Sequence, residues 1–529
     1  MHAVGVVLLL VVLATVVATF ARRWQLPAPS VLVLAGVGVA LVPGVPALDL
    51  PPEAIALVVL PPLLYASAEE LSLRDLKAVW RPVTVLALGL VFASAAAIAF
   101  VAVAVTGLPA EMAFVLGAVL ASTDPVAVTA LGRRLALPGR VQVLVQAESL
   151  FNDATSLVLF KVAVGVAVAA GGAAVGVPAA GGEFLLLGGG GAAVGGAVAG
   201  AVRLIRRRTT DPVLETVIAL VTPYAAYVLG ESAHTSGVTA VVVAGVLLGR
   251  SGHKLGDAHV RLQVQAVYAV VVFLLESVVF GVIGLELPAL VEELPAGSRW
   301  WPVQALGLAA VLLAVRVLWT LPLTRGVQPA GAAGRLPWRA AGVVTWAGTR
   351  GVMPLAAALS IPLTADDGTP LAGRPLVLVL TTAVVVLTLV VQGLTLAGVV
   401  GRSGLALEPE HTAREEAAAR DALSRAALAH VDTLAGLEAA PATALDRVRR
   451  AFADRLDRAA GADGDGKGDR NGNGNVNTAD EAYRLLRQEA IIVQREELLR
   501  LYDGHRISDT TRRRLQLDLD REEAALGGP

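Results

Sequence analysis

Glu148 and Asp153 lie in the stretch QAESLFNDATSLVLF, residues 146–160, which is otherwise apolar enough to sit in lipid. An ionised carboxylate in hydrocarbon is expensive, so each acid must pair, neutralise or face water. At about 100° per residue, Glu148 and Asn152 share one helical face, while Ser149, Asp153 and Ser156 share a neighbouring one. The two carboxylates are offset by roughly 140° and so have separate jobs. The intramembrane cations near mid-depth are Arg350 and Arg316. Glu148 is assigned to Arg350 as a structural ion pair tying the sixth apolar run to the twelfth. Arg316 with another acid, Glu276 or Glu148 itself, is the competing arrangement. Asp153 is then left without a permanent countercharge, and because burial disfavours its charged form, protonation and cation binding compete for it. A lone carboxylate that holds either a proton or a small cation, never both, is the minimum machine for exchanging one for the other.

Hard monovalent cations take oxygen ligands. The open backbone and hydroxyl of Thr123, together with Ser149 and Asp153, supply them. Asn152 orients Asp153 or ligates without adding charge. Beside these chemical readings stands a plainer one: a buried acid in a membrane helix can be a satisfied packing group, and Asp124 can simply cap the half-helix after Pro125, since a carboxylate is favourable at a helix N-terminus.

The elements that must position these residues are membrane helices. Of 529 residues, 55% are hydrophobic and 16% charged, far from the roughly 25% charged usual in soluble domains. Cysteine is absent, which removes disulfides and thiolate metal sites. A window of roughly 20 apolar residues picks out thirteen runs, at about 3–20, 28–46, 53–68, 82–106, 111–131, 141–170, 183–204, 213–230, 236–249, 265–287, 302–323, 340–362 and 374–399. The first has no basic residue before it, unlike a secretory signal, and reads as a retained span. With the N-terminus outside, 18 Lys and Arg residues fall in inner loops and two, Arg299 and Arg374, in outer ones. A missed span would reverse every later loop and spoil this split. Lys161 lies within its span and is expected to snorkel outward.

The fifth run contains ASTDPVAV, in which Pro125 disfavours helix at Asp124, and the twelfth contains WAGTRGVMPLAAAL, interrupted by Gly348, Gly351 and Pro354. Five and twelve differ by an odd number, so the two runs point in opposite directions. If runs 1–6 and 8–13 are two six-helix repeats, the breaks occupy matching places in inverted topology, the pointer to a secondary transporter with a midplane site. The expected fold class is an all-α membrane protein of 13 transmembrane helices in two inverted-topology repeats, helices 5 and 12 discontinuous, over residues 1–400. A soluble α-helical tail follows at 401–529.

The segments ASTDPVAV, ESLFNDA and GTRG, in this order, resemble the electroneutral sodium/proton exchanger family of monovalent cation:proton antiporters; LPPLLYASA, ESAHTSGVTAVVVAGVLLG and FLLESVVFGVIGLEL also look like it. The resemblance covers nearly all of residues 1–400. It implies exchange of Na+ (or Li+) for H+, electroneutral and one for one, with Asp153 as carrier and Asn152 as the mark of the electroneutral branch. It further implies Thr123, Asp124 and Ser149 lining the ion site, a Glu148–Arg350 pair, and a homodimer moving like an elevator. It implies no cofactor, only transported Na+ and H+, and no nucleic-acid partner. Two departures stand out: Ala66 follows Tyr65 where several relatives carry an acid, and Glu276 stands where relatives often have Asn.

The expected location is the cytoplasmic membrane, with the tail cytoplasmic. Within the tail, residues 411–431, 444–459, 479–502 and 508–526 have apolar positions at helical spacing on charged backgrounds. Between them a Gly/Asp/Asn-rich linker, 461–478, overlaps a loose calcium-loop pattern with Asp469, Asn471, Asn473 and Asp480 at ligating positions. Biased composition produces such matches by accident. K+/H+ exchange is the rival reading of the ion site. An intramembrane aspartyl protease using Asp124 and Asp153 lacks that class's glycine-flanked motif, and a channel suits paired broken helices less well.

Overall fold

The computed structural model describes residues 2–24, 28–42, 52–124, 139–169, 177–209, 211–252, 258–294, 298–326, 338–404, 409–436, 441–459 and 476–526. Among them the regular structure is helical apart from one isolated bridge, Thr364 with Pro370. The chain divides into two compact units, residues 1–255 with 266–406, and residues 256–265 with 407–529.

The first unit holds α1 (His2–Trp24), α2 (Ala28–Ala40), α3 (Pro52–Glu69), α4 (Leu73–Thr84), α5 (Val91–Thr106), α6 (Ala110–Ala121), α7 (Gly139–Val168), α8 (Val177–Arg206), α9 (Pro212–Ser232) and α10 (Gly237–Gly252). It continues with most of α11 (Ala258–Glu292), then α12 (Trp301–Gly326), α13 (Trp338–Trp346), α14 (Val352–Leu359) and α15 (Arg374–Ser403). Among the described residues, seven stretches are long and apolar enough to cross a membrane: 76–106, 141–168, 178–206, 212–232, 258–292, 301–321 and 374–403. Shorter apolar helical stretches lie at 10–21, 30–40, 57–69, 110–121 and 237–250. Leu8, Phe100, Leu185 and Leu318 are exposed on the helices of this unit.

Local sequence explains where helices stop. α5 ends at Gly107, whose φ of 69° is the left-handed conformation open to glycine. α9 begins at Pro212 behind Asp211, whose carboxylate accepts from the N–H groups of Val213 (2.8 Å) and Leu214 (3.0 Å). Between α4 and α5 a π turn, Val85–Leu90, interrupts the usual ladder. There the indole N–H of Trp319 on α12 donates to the Val85 carbonyl at 3.2 Å. Gly117 of α6 lets backbones meet: a Cβ there would stand 2.3 Å from the Ala95 carbonyl oxygen of α5.

The second unit contains α16 (Pro409–Gly436), α17 (Ala442–Ala459), α18 (Val476–Asp503) and α19 (Asp509–Leu526), together with the first turns of α11. One core gathers Leu423, Ile491, Leu498, Leu515 and Leu519, another Val431, Val448, Phe452 and Leu486. Asp520, 4% exposed, takes a two-pronged bond from Arg261, at 2.6 and 3.0 Å, and another from Arg495 at 2.6 Å. Of the calcium-loop pattern, Asp469, Asn471 and Asn473 lie outside the described residues. Asp480 is described, and its carboxylate accepts from Arg447 at 2.7 Å.

Candidate functional site

Two interruptions meet in the first unit. α6 stops at Ala121, and Ser122 is extended at φ −63°, ψ 143°. The twelfth apolar run opens between α13 and α14 over residues 347–351. The open stretches are bonded to each other: Asp124 N–H donates to the Thr349 carbonyl at 2.8 Å, and the Thr349 hydroxyl donates to the Asp124 carbonyl at 2.9 Å.

Each stretch also caps a helix of the other. Arg350 Nη1 donates to the carbonyls of Ala121, at 3.0 Å, and of Ser122, so a cation closes the C-terminal end of α6. Asp124 Oδ2 accepts from the Val352 N–H at 3.3 Å, placing an acid at the N-terminus of α14. Gly351 makes this approach possible, because a Cβ there would lie 1.4 Å from Asp124 Oδ2. Asp124 is thus a cap, but of α14. The stretch after Pro125, where a cap had been the alternative expectation, lies outside the described residues.

The middle of α7 packs its polar face onto the first opening. Asp153 accepts from the Ser122 hydroxyl, and the Ser149 hydroxyl donates to the Thr123 carbonyl. Asn152 Nδ2 donates to the Thr123 hydroxyl at 3.2 Å, and Ser156 donates to the Ala118 carbonyl at 2.6 Å. All are buried, from Asn152 at 0% to Asp124 at 7% exposed. Thr123, Asp124, Ser149, Asn152 and Asp153 are therefore brought together in one oxygen-rich cluster. Among the described residues Asp153 makes no ion pair within 4 Å, whereas Glu148 does.

The partner of Glu148 corrects the sequence assignment. Its carboxylate stands 2.7 Å from Arg316 Nη1, an ion-pair contact with both side chains buried, and the Glu148–Arg350 pair does not form. The reason is geometric. The Arg350 guanidinium is engaged by carbonyls at the end of α6, while Gly348 leaves room for Arg316 to come across from α12. A Cβ at 348 would sit 2.4 Å from Arg316 Nε. Arg316 also donates from Nε and Nη2 to the Val344 carbonyl, at 3.3 and 3.0 Å. The Lys161 ammonium pairs with Glu231 at the end of α9, both side chains partly exposed. Glu276 is half-buried on α11 and Ala66 half-buried on α3.

Sequence reasoning missed Ser122 and Thr349. Each is a hydroxyl beside a residue it had singled out, Thr123 and Arg350, so the signal was present in the hydroxyl-rich ASTD and GTRG stretches.

Crossed, interrupted helices holding a carboxylate among hydroxyl and carbonyl oxygens, inside a body of apolar helices, define the class of secondary transporters. The chain belongs to the sodium/hydrogen exchanger family, whose transmembrane region it matches over residues 8–401. It is 33% identical to an uncharacterised Na+/H+ exchanger of Mycobacterium tuberculosis, covering 99% of this chain and 96% of that protein. To the Na+/H+ antiporter ApNhaP of Aphanothece halophytica it is 31% identical over 78% of this chain and 76% of the other. A sodium, potassium, lithium and rubidium/H+ antiporter of Bacillus subtilis is 28% identical, over 56% of this chain and 46% of that one. The fold matches that of the sodium proton antiporter MjNhaP1 from Methanocaldococcus jannaschii with a TM-score of 0.61 at 21% identity, covering 76% of this chain and all of that one.

Proposed function

We propose that the protein exchanges Na+ for H+, one for one, with Asp153 carrying either ion in turn. The observation that carries this reading is the company Asp153 keeps: neutral oxygen donors, while Glu148 faces Arg316, and Asp124 and Arg350 cap opposing helix ends. If those four charges balance and Glu276 keeps one charge state throughout, Asp153 is the acid that changes, neutral when protonated and neutral again when loaded with a monovalent cation. A cycle between these two states moves no net charge. Thr123, Ser149 and Asp124 supply or shape the remaining oxygen ligands, and Asn152 holds the Thr123 hydroxyl in place without adding a charge.

The proposal extends to thirteen crossings in two inverted six-helix repeats, an outside N-terminus, a cytoplasmic tail and a homodimer in the cytoplasmic membrane. K+/H+ exchange at the same site is the second reading, favoured by the potassium named for the Bacillus relative. In everted vesicles with an acidified lumen, Na+ or Li+ should collapse the pH gradient without a membrane potential, and D153N should abolish this. Cation-independent activity, or a fully active D153N variant, rejects the mechanism; a response to K+ equal to that to Na+ favours the second reading.

A further inference from the structure

Arg350 and Asp153 address the same residue from two sides. Ser122, 1% exposed, donates its hydroxyl to Asp153 Oδ1, while its carbonyl oxygen accepts from Arg350 Nη1. The guanidinium takes a second carbonyl, that of Ala121, at 3.0 Å. Arg350 is therefore satisfied by backbone rather than by a carboxylate, although the charges of Asp124 and Arg350 both act on Asp153. In a buried site an N+–H···O− bond outranks one to a neutral carbonyl, so Arg350 and Asp153 would be strong partners if nothing stood between them. Such a pair would leave the carboxylate permanently occupied and closed to exchange.

We propose that Ser122 is the positioning residue that keeps Arg350 off Asp153 and so preserves the acid as a ligand for a monovalent cation. Of the other charged groups near the site, Glu276 is an acid and cannot pair with Asp153 as a cation would. Asp124 is bound at the start of α14 and Arg316 faces Glu148, which leaves Arg350 as the cation to be kept away. A serine suits the task because a hydroxyl has one donor and two acceptor lone pairs. It donates to Asp153 when the acid is ionised, and after rotation it accepts from it when the acid is protonated. It partners both states while adding no charge that would favour either.

This role rests on the exchange reading above. The test is the apparent KM for Na+ in vesicles at alkaline pH, where protons compete weakly, for the wild type and for S122A, S122C, S122T and D153N. Removing the hydroxyl leaves the Ala121 and Ser122 carbonyls on Arg350 but strips Asp153 of its neutral partner, so the acid turns to the guanidinium. KM should then rise about tenfold or more, with Vmax held within about threefold, because sodium must displace a charge-assisted pair. S122T, which keeps the hydroxyl, should stay within about twofold of wild type, and S122C, a weak donor, should fall between Thr and Ala. A merely structural serine would instead lower Vmax or protein yield with KM unchanged. Should S122A fail to accumulate, S122C carries the same prediction in the same direction. A wild-type KM in either variant, beside an inactive D153N, overturns the role of Ser122 and leaves exchange standing. Wild-type vesicles that show no Na+-driven proton movement overturn both.

Discussion

Glu148 and Arg316 bury two charges, with side-chain exposures of 1% and 4%. Removing one partner leaves the other uncompensated, at a cost of roughly 3–5 kcal/mol. E148Q and R316Q should each unfold at markedly lower temperature in detergent, and the double variant should recover part of the loss, since neither charge is then stranded. Equal stability of all four proteins would contradict the pairing. The sequence made it legible that Glu148 needs a cation and that it faces away from Asp153, because helical periodicity fixes angles. It could not say which arginine, because periodicity says nothing about which neighbouring helix supplies a group. That choice is made by Gly348, whose missing side chain admits Arg316.

The two broken helices work as one element. Their backbones bond to each other at Asp124 and Thr349, and each supplies the charged cap of the other's helix end. G351A should collapse this crossing, since the added Cβ would lie 1.4 Å from Asp124 Oδ2. The expected outcome is loss of cation-driven flux together with a lower unfolding temperature, and a fully active G351A variant would contradict it. The π turn at Val85–Leu90 invites a milder test. W319F keeps an aromatic ring but removes the donor to the Val85 carbonyl and part of the indole packed over Gly89, and should cost at least about 1 kcal/mol, read as a drop in the thermal midpoint. The breaks were legible because Pro125, Gly348, Gly351 and Pro354 each disfavour continuous helix. The π turn was not: nothing in VLALGL announces it, and its carbonyl partner comes from a helix more than two hundred residues away.

At the scale of the whole molecule, the charged unit of residues 256–265 and 407–529 is held by carboxylates among arginines. Burial alone would push Asp520 up. Hydrogen bonding and charge from Arg261, then Gln516 and Arg495, outweigh it and hold its carboxyl below the usual range. Asp509 is likewise held low, burial being outweighed by the charges and hydrogen bonds of Arg513 and Arg512. A carboxyl whose pKa is lower folded than unfolded stabilises the fold above the unfolded value, near about 4. That contribution is lost as pH falls through the folded value. This unit should therefore hold firm through neutral pH and loosen under acid, and R261A should speed hydrogen exchange of the α19 amides at neutral pH. Unchanged exchange in R261A would contradict the anchoring. The apolar spacing of this region announced helices, but a contact between Arg261 and Asp520, 259 residues apart, is carried by no local pattern.

The central claim is that one acid is shared between two ions, and it can be watched without transport. Purified protein in weakly buffered detergent, at a pH where Asp153 is protonated, should release one proton per protomer when Na+ is added, and D153N should release none. Na+ binding without proton release, or undiminished release from D153N, would contradict the account.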